Sequence, residues 1–215
     1  MANGIEDEAM EQPGPATPMR RKPTQQRSRE RVERMLDCAA AAIAEEGADA
    51  LKMSAIAERA GVSIGSLYQY FPDKSALIHG LAERYFVAGR RCIEEGLAAV
   101  RDEEALARAF CDLVDDYARL FKQDPAMAQV RAGVLADPAL AALELADVRE
   151  TGALLAAALA RVKPDADRAR LAHHALVLMQ AGESTMRLAL SLPAGEAEAV
   201  IAAYKDMAVA EFGRL

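Results

Sequence analysis

Residues 60–71, AGVSIGSLYQYF, place Ser63, Ser66, Tyr68, Gln69 and Tyr70 within about two helical turns, a dense set of hydrogen-bonding groups with two aromatic rings among them. On a helix Leu67 and Phe71, four apart, point toward a core. Gly65, Ser66, Gln69 and Tyr70 then fall together on another face, with Ile64 and Tyr68 at its margins. Amide and hydroxyl groups on such a face suit the reading of flat, polar edges. They do not suit catalysis: the chain has no GxSxG, no HExxH, no glycine-rich phosphate loop and no Cys–His pair in a recognisable context. If the segment were a tight hairpin inside a bundle, apolar residues would be expected where Ser66, Gln69 and Tyr70 stand.

The flanking elements explain how that face is held out. A short apolar-periodic segment, about Ser54–Ala60, turns Ile56 and Ala57 inward, and Gly61 stands where a left-handed residue ends a helix. Ser63 is a natural N-cap for the next helix, Ile64 to about Phe71, which Pro72 stops. Two short helices joined by a glycine turn, the second with a polar outer face, form the pattern of a helix-turn-helix, whose second helix enters the DNA major groove.

Strand signals are almost absent from the 215 residues, and 52% hydrophobic content with only 5% aromatics favours helix throughout. A first helix is expected over Gln25–Glu46, and a fourth is capped by Asp73 and runs to about Val100. Further helices are expected over about 103–122, 125–135, 138–162, 165–191 and 195–213, each start marked by proline or acidic punctuation. The expected fold is all-α with about nine helices. It divides into a proline-rich disordered tail with a basic end (1–24), a three-helix helix-turn-helix DNA-binding domain (25–75), and a helical-bundle ligand-binding and dimerisation domain (76–215). The net charge of -7 is unevenly spread: residues 20–91 hold thirteen Lys/Arg against nine Asp/Glu, so the basic part surrounds the polar helix. Three widely spaced cysteines give neither a disulfide framework nor a zinc site. With no long apolar run and no secretory leader, a cytoplasmic location is expected. Neighbouring His173 and His174 diverge on a helix and cannot share a metal, so neither metal nor cofactor is expected.

The run IAERAGVSIGSLYQYFPDKSALI, preceded by a basic helix ending in EEGADAL, resembles the N-terminal DNA-binding domain of the TetR (tetracycline repressor-like) transcriptional regulators. The close match covers about residues 26–80. The resemblance implies that Ile64, Gly65, Ser66, Gln69 and Tyr70 face the groove, the same face that periodicity gives. Gln69 would pair with an adenine edge, Ser66 with a base or phosphate, and Ile64 with a thymine methyl. Tyr68, Tyr70, Lys74 and the amides capped by Ser63 would meet phosphates. Lys52 stands where most members carry the threonine that caps the second helix; it would replace that cap with a longer-range charge.

One helix-turn-helix covers little DNA, so a homodimer on a palindromic operator is expected, formed through residues 165–191 and 195–213. In the first, Leu171, Ala175, Leu178, Gly182 and Ala189 line one side; in the second, Ala197, Val200, Ile201, Tyr204, Ala208 and Phe212 form a stripe. Another side of 165–191 sets Glu183 in an apolar row with Met179 and Met186. With Phe110, Tyr117, Phe121, Met127 and Arg131 it would line a pocket for a small-molecule effector, unless Glu183 bonds an arginine across the dimer. The expected function is a repressor that such an effector releases from DNA. Alternatives are an activator or ligand-independent DNA binder of the same fold and, less compatible with the polar helix, an interaction bundle.

Overall fold

Nine α-helices and no strand make up the described residues, 22–133 and 137–215, of the computed structural model. They are α1 (Lys22–Glu46), α2 (Met53–Arg59), α3 (Ile64–Tyr70), α4 (Lys74–Ala98), α5 (Glu103–Gln123), α6 (Pro125–Gly133), α7 (Pro138–Val162), α8 (Arg168–Leu190) and α9 (Ala194–Arg214). Aspartates start four of the long helices: Asp73, Asp102, Asp137 and Asp167 each accept amide hydrogens from the first turn that follows, a cap typically stabilising by about 1 kcal/mol. α1 begins at Lys22, earlier than the expected Gln25, because Pro23 fits the first turn, where its missing N–H has no partner to lose. The tail through Arg21, with Arg20, lies outside the described residues, as do residues 134–136 at the expected end of the sixth helix.

The α2–α3 turn is closed by backbone geometry. Gly61 has φ +65°, the Val62 amide donates to Ala57 O at 3.0 Å, and the Gly61 amide donates to Glu58 O at 3.1 Å. These two bonds form a Schellman ending, and its left-handed residue is affordable only to glycine without strain. Phe71 is extended (φ -130°, ψ 98°), as a residue before proline prefers, which ends α3 one residue earlier than expected.

Two apolar clusters share α4. The first joins Met35, Leu36, Ala39 and Ile43 of α1 to Ile56, Leu67 and Phe71, takes in α4 as far as Phe86, and reaches Ala126 and Val130 of α6 and Leu140 of α7. The second gathers Leu97, Phe110, Leu155, Leu159, Leu171, Tyr204 and Phe212 beneath α4's far end. At 25 residues α4 is ~37 Å long, enough to run from one cluster to the other. α7 and α8 cross so closely that a Cβ on Gly152 would lie 3.2 Å from Leu176 Cα.

Much of the stripes expected to meet a partner chain is core instead, while Leu178, Ala189 and Val200 stay partly exposed. Ala197, Ile201, Tyr204, Ala208 and Phe212 are buried within the chain, as are Leu171 and Ala175, and Gly182 packs beneath the Tyr204 hydroxyl. The large apolar side chains that α8 and α9 leave exposed are others: Val177 (66%), Leu188 (50%), Leu190 (44%) and Met207 (70%). Ala199, Ala203 and Ala210 share the exposed side of α9 with Met207.

Candidate nucleic-acid interface and ligand cavity

α3 buries a single residue, Leu67, whose complete removal from water contributes roughly 1.5–3 kcal/mol. Phe71, just beyond its end, is the second anchor. Ser63 Oγ accepts the Ser66 amide at 3.1 Å, fixing the N-terminus. With the helix held from one side, Ile64 (43%), Gly65, Tyr68 (47%) and Gln69 stand exposed, and Ser66 is half-buried. A Cβ on Gly65 would meet nothing within 4 Å, and its φ is not positive. The fold therefore has no need of glycine there; close approach of an outside body is the remaining physical reason for one.

Three of the nine residues singled out for this surface have particular settings. Tyr70 is half-buried and its hydroxyl lies 3.0 Å from Ser28 Oγ of α1, so its polar end is engaged inside the chain. Lys74 Nζ donates to Asp49 O at 2.8 Å, tying α4 to the α1–α2 loop while two of its hydrogens remain. Lys52 occupies the N-cap of α2 in extended conformation, makes no capping bond and is exposed. The first helix contributes Arg27, Arg29, Arg31 and Arg34, all exposed.

Beyond α4 lies a cavity of about 380 Å³, near the small end of the roughly 300–1,000 Å³ common for small-molecule sites. Of the eight residues expected around a pocket, Phe110, Tyr117, Met127, Arg131, Met179, Glu183 and Met186 line it. Phe121 does not; it is buried behind the wall, edge-on to Tyr117 with ring centroids 4.8 Å apart.

One end of the cavity is polar. Arg131, 2% exposed, stacks its guanidinium 4.1 Å above the Phe86 ring and sets Nη1 3.1 Å from Glu183 Oε2. That approach is close enough for an ion pair but not directed as a hydrogen bond, so Nη1 and Nε both lack an acceptor among the described residues. Glu183 takes its hydrogen bond from the Tyr117 hydroxyl instead, at 2.9 Å. Burial pushes the Glu183 carboxyl above its ordinary range despite the arginine, and burial with the adjacent carboxylate pushes the Tyr117 phenol well up. The expected arginine for Glu183 thus comes from α6 of the same chain.

The sequence reading missed the rest of this network. Asp147, 5% exposed, pairs with Arg90 of α4, which also reaches Glu150 at 2.8 Å; Glu144, 6% exposed, pairs with Arg187 of α8 at 2.5 Å. Burial raises the Asp147 carboxyl, opposed first by Arg90. A signal was present: Glu144, Asp147 and Thr151 recur on the face of α7 that carries the buried Leu140, Val148 and Leu155.

α6 links the two regions. Gln129 Nε2 donates to Ile43 O at 3.1 Å, and its Oε1 accepts the Ala48 amide at 2.9 Å, pinning the end of α1 and the loop toward α2. Arg131, two residues on, diverges by about 200° around the helix and lines the cavity. A second tie runs through His79 Nε2, 2.9 Å from Asp137 Oδ2 at the start of α7. No group of three or more potential metal ligands occurs among the described residues, and no described helix is long and apolar enough to cross a membrane.

Residues 35–81 match the family described as Bacterial regulatory proteins, tetR family, and residues 104–212 match the Tetracyclin repressor-like, C-terminal domain. The HTH-type transcriptional repressor KstR of Mycolicibacterium smegmatis is 32% identical over 153 residues, 68% of this chain and 69% of that protein. A TetR-family transcriptional regulator from Streptomyces coelicolor superposes with TM-score 0.67 at 26% identity, covering 87% of this chain and 98% of that one. The SmeT–triclosan complex superposes with TM-score 0.65 at 20% identity, covering 85% and 91%.

Proposed function

Because the chain belongs to the TetR family of bacterial transcriptional regulators, we propose that it is a homodimeric repressor of a palindromic operator, released when a small effector fills the cavity beyond α4. The observation that carries the DNA-binding half is the outer face of α3: Ile64, Gly65 and Gln69 are exposed on a helix anchored by Leu67 and Phe71 alone. In this reading Gln69 reads an adenine edge, Ser66 a base or phosphate and Ile64 a thymine methyl. Lys52, Tyr68, Lys74 and the amides capped by Ser63 hold phosphates. Tyr70 takes a positioning role, since its hydroxyl already bridges α3 to α1.

Two copies meet through the exposed Val177, Leu188 and Met207 and the small residues beside them, an apolar face that a lone chain would leave in water. The dimer presents two α3 helices roughly 34–36 Å apart, one turn of DNA. The effector half rests on the buried Arg131–Glu183–Tyr117 group at one end of a largely apolar cavity, and the structurally similar SmeT is known with triclosan bound. α6, holding Gln129 on one side and Arg131 on another, couples cavity to DNA-binding domain. A DNA partner sets the work in the cytoplasm.

The test is to select duplexes from a random pool, measure affinity for the winner at two salt concentrations, and screen small molecules for release. A palindromic winner with steep salt dependence and at least one releasing compound is expected. If no sequence is preferred over bulk DNA, the recognition role of α3 is wrong; if DNA is bound but nothing releases it, the effector half is wrong.

A further inference from the structure

The cavity wall states the charge of what fits it. Asp147 answers Arg90, Glu183 answers Arg131, and Asp116 answers Arg119 at 2.8 Å. Asp124 caps α6 by accepting the Met127 amide at 3.0 Å and has no cationic partner among the described residues. The wall therefore carries no spare positive charge, and an entering carboxylate would meet an excess of its own sign. What the wall does have spare is donors. Arg131 Nε and Nη1 are buried without acceptors, on a side chain clamped flat against Phe86. The Tyr85 hydroxyl, at the same cavity, is buried beside the Asp124 carboxylate without a well-directed hydrogen bond. A cationic ligand could pair with Asp124 but would leave the Arg131 donors unmet and sit near the guanidinium.

We propose that the effector is an uncharged, largely apolar molecule of on the order of fifteen non-hydrogen atoms, the content of 380 Å³ at ordinary packing density, whose carbonyl oxygen accepts from the guanidinium nitrogens of Arg131 that lack a hydrogen-bond acceptor. This rests on the reading of the cavity as the effector site. The carbonyl brings acceptor lone pairs and no donor of its own, so it satisfies the guanidinium without stranding another polar group or altering the charge balance of the wall.

Four flexible probes of equal heavy-atom count separate the possibilities: methyl undecyl ketone, tetradecane, dodecanoate and tridecylamine. Their dissociation constants are measured at pH 8 by displacement of an apolar fluorophore from the full-length protein. The ketone is expected to bind about tenfold or more tightly than the other three, the size of one charge-assisted hydrogen bond. The variant carrying both Arg131→Met and Glu183→Gln, which removes the ion pair as a unit, is expected to bind ketone and alkane alike. Ketone and alkane equal in the wild type, the carboxylate or amine ranked first, or a ketone preference surviving in the double variant would each overturn the proposal and leave the cavity reading standing. Failure of all four, alkane included, would overturn the cavity reading and the proposal with it.

Discussion

Glu183→Gln and Arg131→Met remove opposite halves of one buried ion pair, yet the structure makes their costs behave differently. Glu183→Gln keeps an acceptor for the Tyr117 hydroxyl and removes only the charge, leaving Arg131 buried with a guanidinium that cannot lose its proton. Stranding one ion of a buried pair costs about 3–5 kcal/mol, or roughly 6–20 °C of melting temperature for a chain of this size. The guanidinium stays charged throughout, but the variant also loses the titration of the raised carboxyl, which strengthens the wild type as pH falls. In Arg131→Met the stranded ion is a carboxyl already pushed upward by burial, and it escapes by taking a proton. Folding with that proton at pH 7 costs at most about 3.7 kcal/mol, measured from an ordinary glutamate value of about 4.3, and about 1 kcal/mol at pH 5. The sign follows from linkage: the folded state binds the proton more tightly than the unfolded one, so stability rises as pH falls toward the ordinary range. Urea unfolding of both single variants and the double variant at pH 5, 6 and 7 checks this. The wild-type-to-variant gap should shrink with falling pH for Arg131→Met and widen for Glu183→Gln, which lacks the titrating carboxyl, with the double variant less damaged than Glu183→Gln. The opposite pattern, or two parallel profiles, would refute the assignment of Arg131 and Glu183 as a desolvated pair.

Gln69→Ala should cost roughly 1–3 kcal/mol on the preferred duplex and relax its choice at one base pair, seen by repeating the random-pool selection; equal losses on all sequences would contradict base reading. Lys52→Ala touches no internal contact, so it should lower the salt slope by about one unit with an unchanged melting temperature. Lys74→Ala should lower the slope similarly but also loosen the α1–α2 loop, because it frees Asp49 O. Hydrogen bonding by His79, then by the Ala139 amide, pulls Asp137 down to about 2. Its contribution is therefore present above the ordinary aspartate range and lost as pH falls through about 2. Urea midpoints should drop more steeply below pH 4 for the wild type than for Asp137→Asn, and parallel curves would dismiss the His79–Asp137 tie.

The polar helix was legible because its signals are local. Ser63 caps it, Gly61 precedes it, Pro72 ends it, and Leu67 and Phe71 set its rotation, all within a dozen residues. Pro23 misled in the other direction, since the same residue that breaks a helix interior is at home in a first turn. The α9 stripe shows a different limit. Periodicity identified Ala197, Ile201, Tyr204, Ala208 and Phe212 as one apolar face, but a stripe does not say which body covers it, and here the chain's own α5 and α8 do. Glu183 stood out as a carboxylate in an apolar row, whereas its partner Arg131 lies 52 positions away on another helix, and only the fold brings them to 3.1 Å.

That distance in sequence bears on how a ligand could act. An effector moves an equilibrium only by binding one state better than the other, and reversing a 99:1 preference requires a difference of about 10⁴-fold. An apolar cavity wall alone offers little such contrast, because aliphatic side chains repack at small cost. A buried guanidinium offers more, since its partners are few and each is directional. Arg131 sits on a nine-residue helix that also carries Gln129, whose amide bonds Ile43 O through its nitrogen and the Ala48 amide through its oxygen. A shift of α6 that improves the contact at Arg131 must stretch the contacts at Gln129, and these hold the loop leading into α2 and thence α3. In the proposed mechanism the two glutamine bonds and the arginine pair would be the contacts that exchange, and a Gln129→Ala variant that binds ligand normally but no longer releases DNA would support that coupling.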